Sequence, residues 1–166
     1  MTFAEVFHYA DPTRRFWFEV PFALQTLIHV GDNVLCNTSK GLYHGRVTKV
    51  LDGLSDEEFE DAFGFLPTAE IVGVHKDIPM DGIEIPEAYE SSLPHAGKIS
   101  KRVNELYSGH FKTRIEINPR LIMKDGYTAY LVAKMFDLDT LPCLVSIGNE
   151  SVYKTYGKKE EVADGN

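Results

Sequence analysis

The stretch from Ile117 to Ile147, INPRLIMKDGYTAYLVAKMFDLDTLPCLVSI, decides how the second half of this 166-residue chain is read. It reads as a strand, a tight turn, a helix and another strand in about thirty residues. At KDGY the backbone must pass from a strand directly into a helix, and Gly126 supplies freedom where a side chain would obstruct. A turn of that kind leaves free N–H groups at the helix start, a place for an anion, and it serves equally as plain architecture. Lys124, Asp125, Gly126, Tyr127 and Thr128 are therefore the anion- or nucleotide-binding candidates.

Working outward, KISKRVNELY (98–107) predicts a short helix with Ile99, Val103, Leu106 and Tyr107 on one side and Gly109 as its stop. RIEINP predicts a strand and RLIM a second one, followed by a helix over 127–136 and a strand in DLDTLPCLVSI. The tail YGKKEEVADGN is expected to fray. Residues 77–97 hold three prolines and little periodicity, and read as a linker.

The first half has a different texture. FAEVFHY (3–9) and FWFEV (16–20) are aromatic and β-branched, with turn signals in ADPTRR between them, which predicts a hairpin. Strands are expected near 33–37, 42–51 and 69–75. SDEEFEDAF reads as a helix capped by Ser55 with Glu58 in the capping-box position. Several short strands with regular turns in under eighty residues suggest a small barrel.

Composition bounds the rest. At 43% hydrophobic and 11% aromatic residues the chain can bury a real core, and no run approaches the 18 apolar residues of a membrane-spanning helix. The N-terminal segment MTFAEVFHYADPTRR lacks the pattern of a signal peptide, so a cytoplasmic location without membrane association is expected. Cys36 and Cys143 lie in apolar strand-like runs without metal-ligand spacing and read as buried free thiols. Residues 1–84 carry 14 acidic and 6 basic side chains, whereas 85–166 carry 11 of each. The acidic half would repel a phosphate lattice, which makes the whole chain a poor non-specific DNA binder. Within the second half, Lys98, Lys101, Arg102, Lys112, Arg114 and Arg120 are basic-patch candidates.

The run VGDNVLCNTSKGLYHGRVTKV resembles the SH3-like barrel at the start of PriA-type primosomal helicases and the barrel module of PSP-type bacterial proteins. The likeness rests on Gly31, Asp32, Thr38, Gly41, Gly45 and Val47 and covers roughly residues 3–76. The second half resembles the ParB/sulfiredoxin-like fold over roughly 98–147. Lys124–Tyr127 stands at the signature turn, Ala133 at the small helix position, and Leu141-Pro142 before the next strand. ParB proteins carry a Gly-Glu-Arg-Arg box at this turn, and sulfiredoxins a cysteine and an arginine. Here Gly126 is followed by Tyr127, Thr128 and Ala129. A triphosphate needs cationic donors in a fixed fork, so the resemblance implies a turn that keeps its shape without its family's chemistry.

The six histidines are scattered and read as packing or surface residues, and no metal or cofactor motif occurs. SDEEFEDAF reads as a solvated helix with Phe59 and Phe63 turned inward, an acidic docking helix being the sharper alternative. Arg14, Arg15 and Trp17 are candidates for stacking on a single-stranded base, against ordinary core packing for most of these aromatics.

The expected architecture is α+β, with a small SH3-like β-barrel (1–76), a linker (77–97) and a ParB/sulfiredoxin-like α+β unit (98–166). The expected function is a non-enzymatic binding or adaptor protein associated with nucleic acid or its processing machinery, of phage or mobile-element origin. A protein partner is expected, with nucleic acid reached through the C-terminal half. The alternatives are a nucleotide-binding ParB/sulfiredoxin-like enzyme and an acidic inhibitor of a host nucleic-acid-binding protein.

Overall fold

The computed structural model describes residues 1–108 and 115–157. The chain is α+β with both parallel and antiparallel strand pairs, and it divides into two units. Met1–His75 together with the chain from Ser146 onward forms the first unit, and Lys76–Val145 the second. Lys112, Arg114, Gly109 and the tail beyond Gly157 lie outside the described residues.

The first unit begins with β1 (Thr2–His8) and β2 (Asp11–Val20), the expected hairpin, closed by Tyr9 and Ala10 alone. The strand resumes at Asp11, earlier than expected, yet the register jumps from Val6–Phe16 to His8–Asp11. Pro12–Arg15 thus have no opposite number in β1, which is where the proline and its neighbours disturb the ladder. β3 (Asn33–Thr38) and β4 (Gly41–Asp52) pair antiparallel, β4 also pairs β1, and β3 also pairs β5 (Glu70–Pro79). The order within this unit is β2-β1-β4-β3-β5, and β2 meets β5 in a parallel bridge at Glu19 and Glu70. A Cβ on Gly45 would lie 2.5 Å from the Phe7 carbonyl oxygen, so the close β1–β4 approach requires glycine there.

Strand alternation sorts the side chains. Ala4, Val6, His8, Phe18 and Val20 share one buried face, while Phe3 and Trp17 point to the other. That other face is covered by α1 (Asp56–Phe63), whose Phe59 is fully buried with its ring 4.3 Å from Phe3 and 5.4 Å from Trp17. The capping box read from the sequence is present: Ser55 Oγ accepts from the Glu58 N–H, and Glu58 Oε2 accepts from the Ser55 N–H. After Ser146 the Ile147 N–H donates to the Val72 carbonyl, and α5 (Val152–Tyr156) buries Val152.

The second unit contains α2 (Glu87–Glu90), α3 (Ala96–Tyr107), β6 (Ile115–Ile117), β7 (Met123–Asp125), α4 (Tyr127–Met135) and β8 (Thr140–Ser146), the last residue of which belongs to the first unit. β6 pairs β8 in parallel and β7 antiparallel. α4 buries Ala129, Val132 and Ala133. The expected strand at RLIM is displaced. Asn118 Oδ1 accepts from the N–H groups of Arg120 and Ile122, Leu121 takes φ 67°, and the strand starts only at Met123. Side-chain turn chemistry has overridden an apolar run.

Residues 77–97, read as a linker, contain the end of β5, a 3-10 turn at Met80–Gly82 and α2. Glu84 bridges Ile122, with its N–H on the Leu121 carbonyl and its carbonyl receiving the Met123 N–H, both 2.9 Å. No helix among the described residues is long and apolar enough to cross a membrane.

Candidate functional site

The KDGY turn has the geometry expected of it. Gly126 sits at φ 98° in the left-handed region and begins α4. Its N–H is taken by Asp125 Oδ1 at 2.9 Å. Lys124, the cation expected to face an anion, points inward instead: Nζ lies 3.3 Å from Glu116 Oε2, and both side chains are 2% exposed. Burial holds the Lys124 ammonium below its usual range, against the opposing pull of Glu116. The Tyr89 hydroxyl donates to the Lys124 carbonyl at 2.5 Å, and Tyr89, Tyr127 and Tyr130 form a run of neighbouring rings. Burial, then Asp125 and Glu116, push the Tyr89 phenol up. Thr128 is half-buried on the first turn of α4. The turn is thus a polar brace around a buried ion pair.

The basic-patch candidates are dispersed in role. Lys98 and Lys101 are exposed on α3, Arg102 pairs with Glu105 at 2.7 Å, and Arg120 is exposed in the β6–β7 turn. The buried thiols are as read, with burial raising both, Cys143 to about 12.

The base-stacking candidates, in contrast, meet at one place. Arg14, Arg15 and Trp17 line an open groove of about 980 Å³ in the first unit, between β2, the β3–β4 turn and the segment entering β5. They play separate parts within it. The Arg14 guanidinium lies 5.0 Å from the Phe16 ring centre and that of Arg15 5.1 Å from Phe7. Trp17 packs against α1, 5.0 Å from Phe63. The aromatic next to Arg14 is therefore Phe16, one residue away from the expected tryptophan, because alternate strand residues face opposite ways.

Several groove residues carried no functional signal in the sequence. His8 stacks on Phe16 at 4.9 Å and meets Phe18 and Tyr43 at 5.5 and 5.4 Å. The His8 residue is 8% exposed, and its Nδ1 finds no hydrogen-bond partner among the described residues. Burial lowers its pKa, partly offset by Asp11 and by a hydrogen bond to the His44 backbone. Lys40 is exposed in the β3–β4 turn, two residues beyond Thr38, whose hydroxyl holds that turn to the Gly41 carbonyl at 2.8 Å. Glu19 and Glu70 stand side by side in the parallel bridge, and burial followed by the Glu19 charge raises the Glu70 carboxyl. Only the cross-strand register brings these positions together, so no linear motif could have found them.

Charges are sorted along the groove. Arg14 and Arg15 lie toward the start of β2, with Lys40 at the tip of the facing turn. Glu19 lies toward the end of β2 beside Glu70, whose β3 partner Asn37 precedes Lys40 by three residues. Phe16, Tyr43 and Phe65 lie on the apolar lining. Asp11, near His8, accepts from the Thr13 hydroxyl at 2.8 Å. No protein-family model, curated protein or solved structure matches this chain.

Proposed function

We propose that the protein is a non-catalytic binding or adaptor protein, and that the groove of its first unit docks a protein partner belonging to nucleic-acid processing. In this reading the first unit is an SH3-like barrel. The second is a ParB/sulfiredoxin-like unit that keeps its family's turn without its arginines or cysteine. The groove carries the reading: an open, aromatic-walled cleft with both signs of charge offers contact and orientation to a macromolecule. The rival enzymatic reading needs a cation at the KDGY turn, and the Lys124 ammonium is already engaged with Glu116. Lys98, Lys101 and Arg120 are individually exposed on the second unit and are its cations for nearby nucleic acid in this reading.

Site-specific photocrosslinking in cells tests this. A photoreactive residue at Thr68 or Ser39, both exposed in the groove, should yield an adduct with a defined protein. The same group at Lys49, exposed on β4 outside the groove, should not. Equal adducts from all three positions, or none from the groove, would sink the proposal.

A further inference from the structure

Resting on that reading of the groove, we infer that its occupant is an extended peptide segment of about six residues with ordered charges. A carboxylate lies at the end formed by Arg14, Arg15 and Lys40, and a Lys or Arg at the end formed by Glu19 and Glu70. An apolar or aromatic side chain between them rests against Phe16, Tyr43 and Phe65.

Three observations lead there. The first is charge order: Arg14, Lys40 and Arg15, whose guanidinium donates to the Pro12 carbonyl at 2.7 Å, outnumber Asp11 at one end, and a carboxylate pair stands at the other, which gives a bipolar track. A nucleic-acid strand is negative along its whole length, so one end of it would meet Glu19 and Glu70 in the half of the chain whose net charge is −8. A peptide can alternate its charges and satisfy both ends. The second is length. Arg14 to Glu19 spans at most about 17 Å if fully extended, which a stretch of about six residues matches. The third is geometry at the seam. The Glu19 N–H reaches across to the Ala69 carbonyl at 3.1 Å, and the β2–β5 ladder goes no further toward Asp11. Strand alternation directs the Trp17 N–H, two residues earlier, to the same side of β2 as that of Glu19, the side on which an extended segment would pair.

Selection of a displayed random 12-residue peptide library on the full-length protein reads the inference directly. Enriched sequences should share an acidic and a basic residue about five positions apart, with an apolar residue between them. Their binding should quench or shift the fluorescence of Trp17, the sole tryptophan of the chain. Reversing the charge order within a selected peptide should weaken it at least about tenfold. A second selection on an Arg14→Glu/Arg15→Glu protein should replace the acidic residue by a basic one. Lys40→Glu, on a different element, provides the same swap should the β2 variant melt early.

Selected peptides without charge order, or no selected peptides, overturn the inference. So does tighter binding of oligo(dT) than of any peptide at the same salt, which points to nucleic acid. Concentration-dependent dimerisation abolished by Lys40→Glu points instead to a second copy of the chain. Groove crosslinks to a partner protein without charge-ordered selection would leave the binding function standing and remove this inference alone.

Discussion

Lys124 and Glu116 bury opposite charges side by side, each with 2% of its side chain exposed. Removing one member of such a pair costs about 3–5 kcal/mol, because the other charge stays buried, whereas an apolar replacement of both is close to neutral. Urea unfolding should therefore show Glu116→Ala strongly destabilised and Glu116→Leu/Lys124→Met far less so; equal losses would mean the pair is not the source. His8 acts through pH. Its folded-state pKa is lowered, so the unfolded chain binds the proton more readily. The stability that this residue contributes is fully present above its ordinary value of 6.5 and is lost as pH falls through 6.5 toward the lower folded value. Asp11 and the His44 backbone oppose the shift, while Phe16, Phe18 and Tyr43 enclose the ring. His8→Phe should flatten the melting-temperature profile below pH 6.5, and an unchanged slope would assign the acid sensitivity elsewhere. Gly126 was legible at this scale, since a strand-to-helix reversal favours a left-handed residue. The inward turn of Lys124 was not, because nothing local marks Glu116 as its partner.

Among the elements, α1 shows how much a local code can carry. Ser55, Glu58, the acidic first turn and Gly64 at φ 82° after the last turn are all visible in the letters. Ser55→Ala should cost about 1 kcal/mol, read as an earlier urea midpoint. Trp17 fluorescence is the natural probe, because its ring sits against Phe59 and Phe63. A midpoint unmoved by that change would show that the packing of Phe59 and Phe63, and not the Ser55 hydroxyl, holds α1. β7 shows the opposite case. RLIM has the composition of a strand, but the Asn118 side chain captures two backbone N–H groups and bends the chain through Leu121. The groove was half legible for a related reason. Arg14, Arg15 and Trp17 stand together in the sequence, whereas Lys40, Tyr43 and Glu70 join them only through pairing between distant strands.

At the scale of the whole molecule, the proline-rich segment between the first strands and α3 is more ordered than its composition suggests. The Met80 N–H donates to the Asp139 carbonyl, and Glu84 is tied by hydrogen bonds to the chain at Leu121 and Met123. Protease susceptibility follows the exposure and bonding of the backbone. Brief digestion with a non-specific protease should therefore cut the 77–97 segment between Ser91 and His95, where Leu93 is 78% exposed, and spare Met80–Tyr89. Early cuts around Glu84, mapped by mass spectrometry, would show that those hydrogen bonds do not hold the segment.

The return of the chain to its first unit after Val145 has a consequence for synthesis on the ribosome. The partner of the Val72 carbonyl and the buried Val152 are translated only after the seventy residues of the second unit. At about 5–20 residues per second, that interval is roughly 4–14 s. Through it the nascent strands of the first unit wait without their last helix, so N-terminal completion is set by the translation of C-terminal codons.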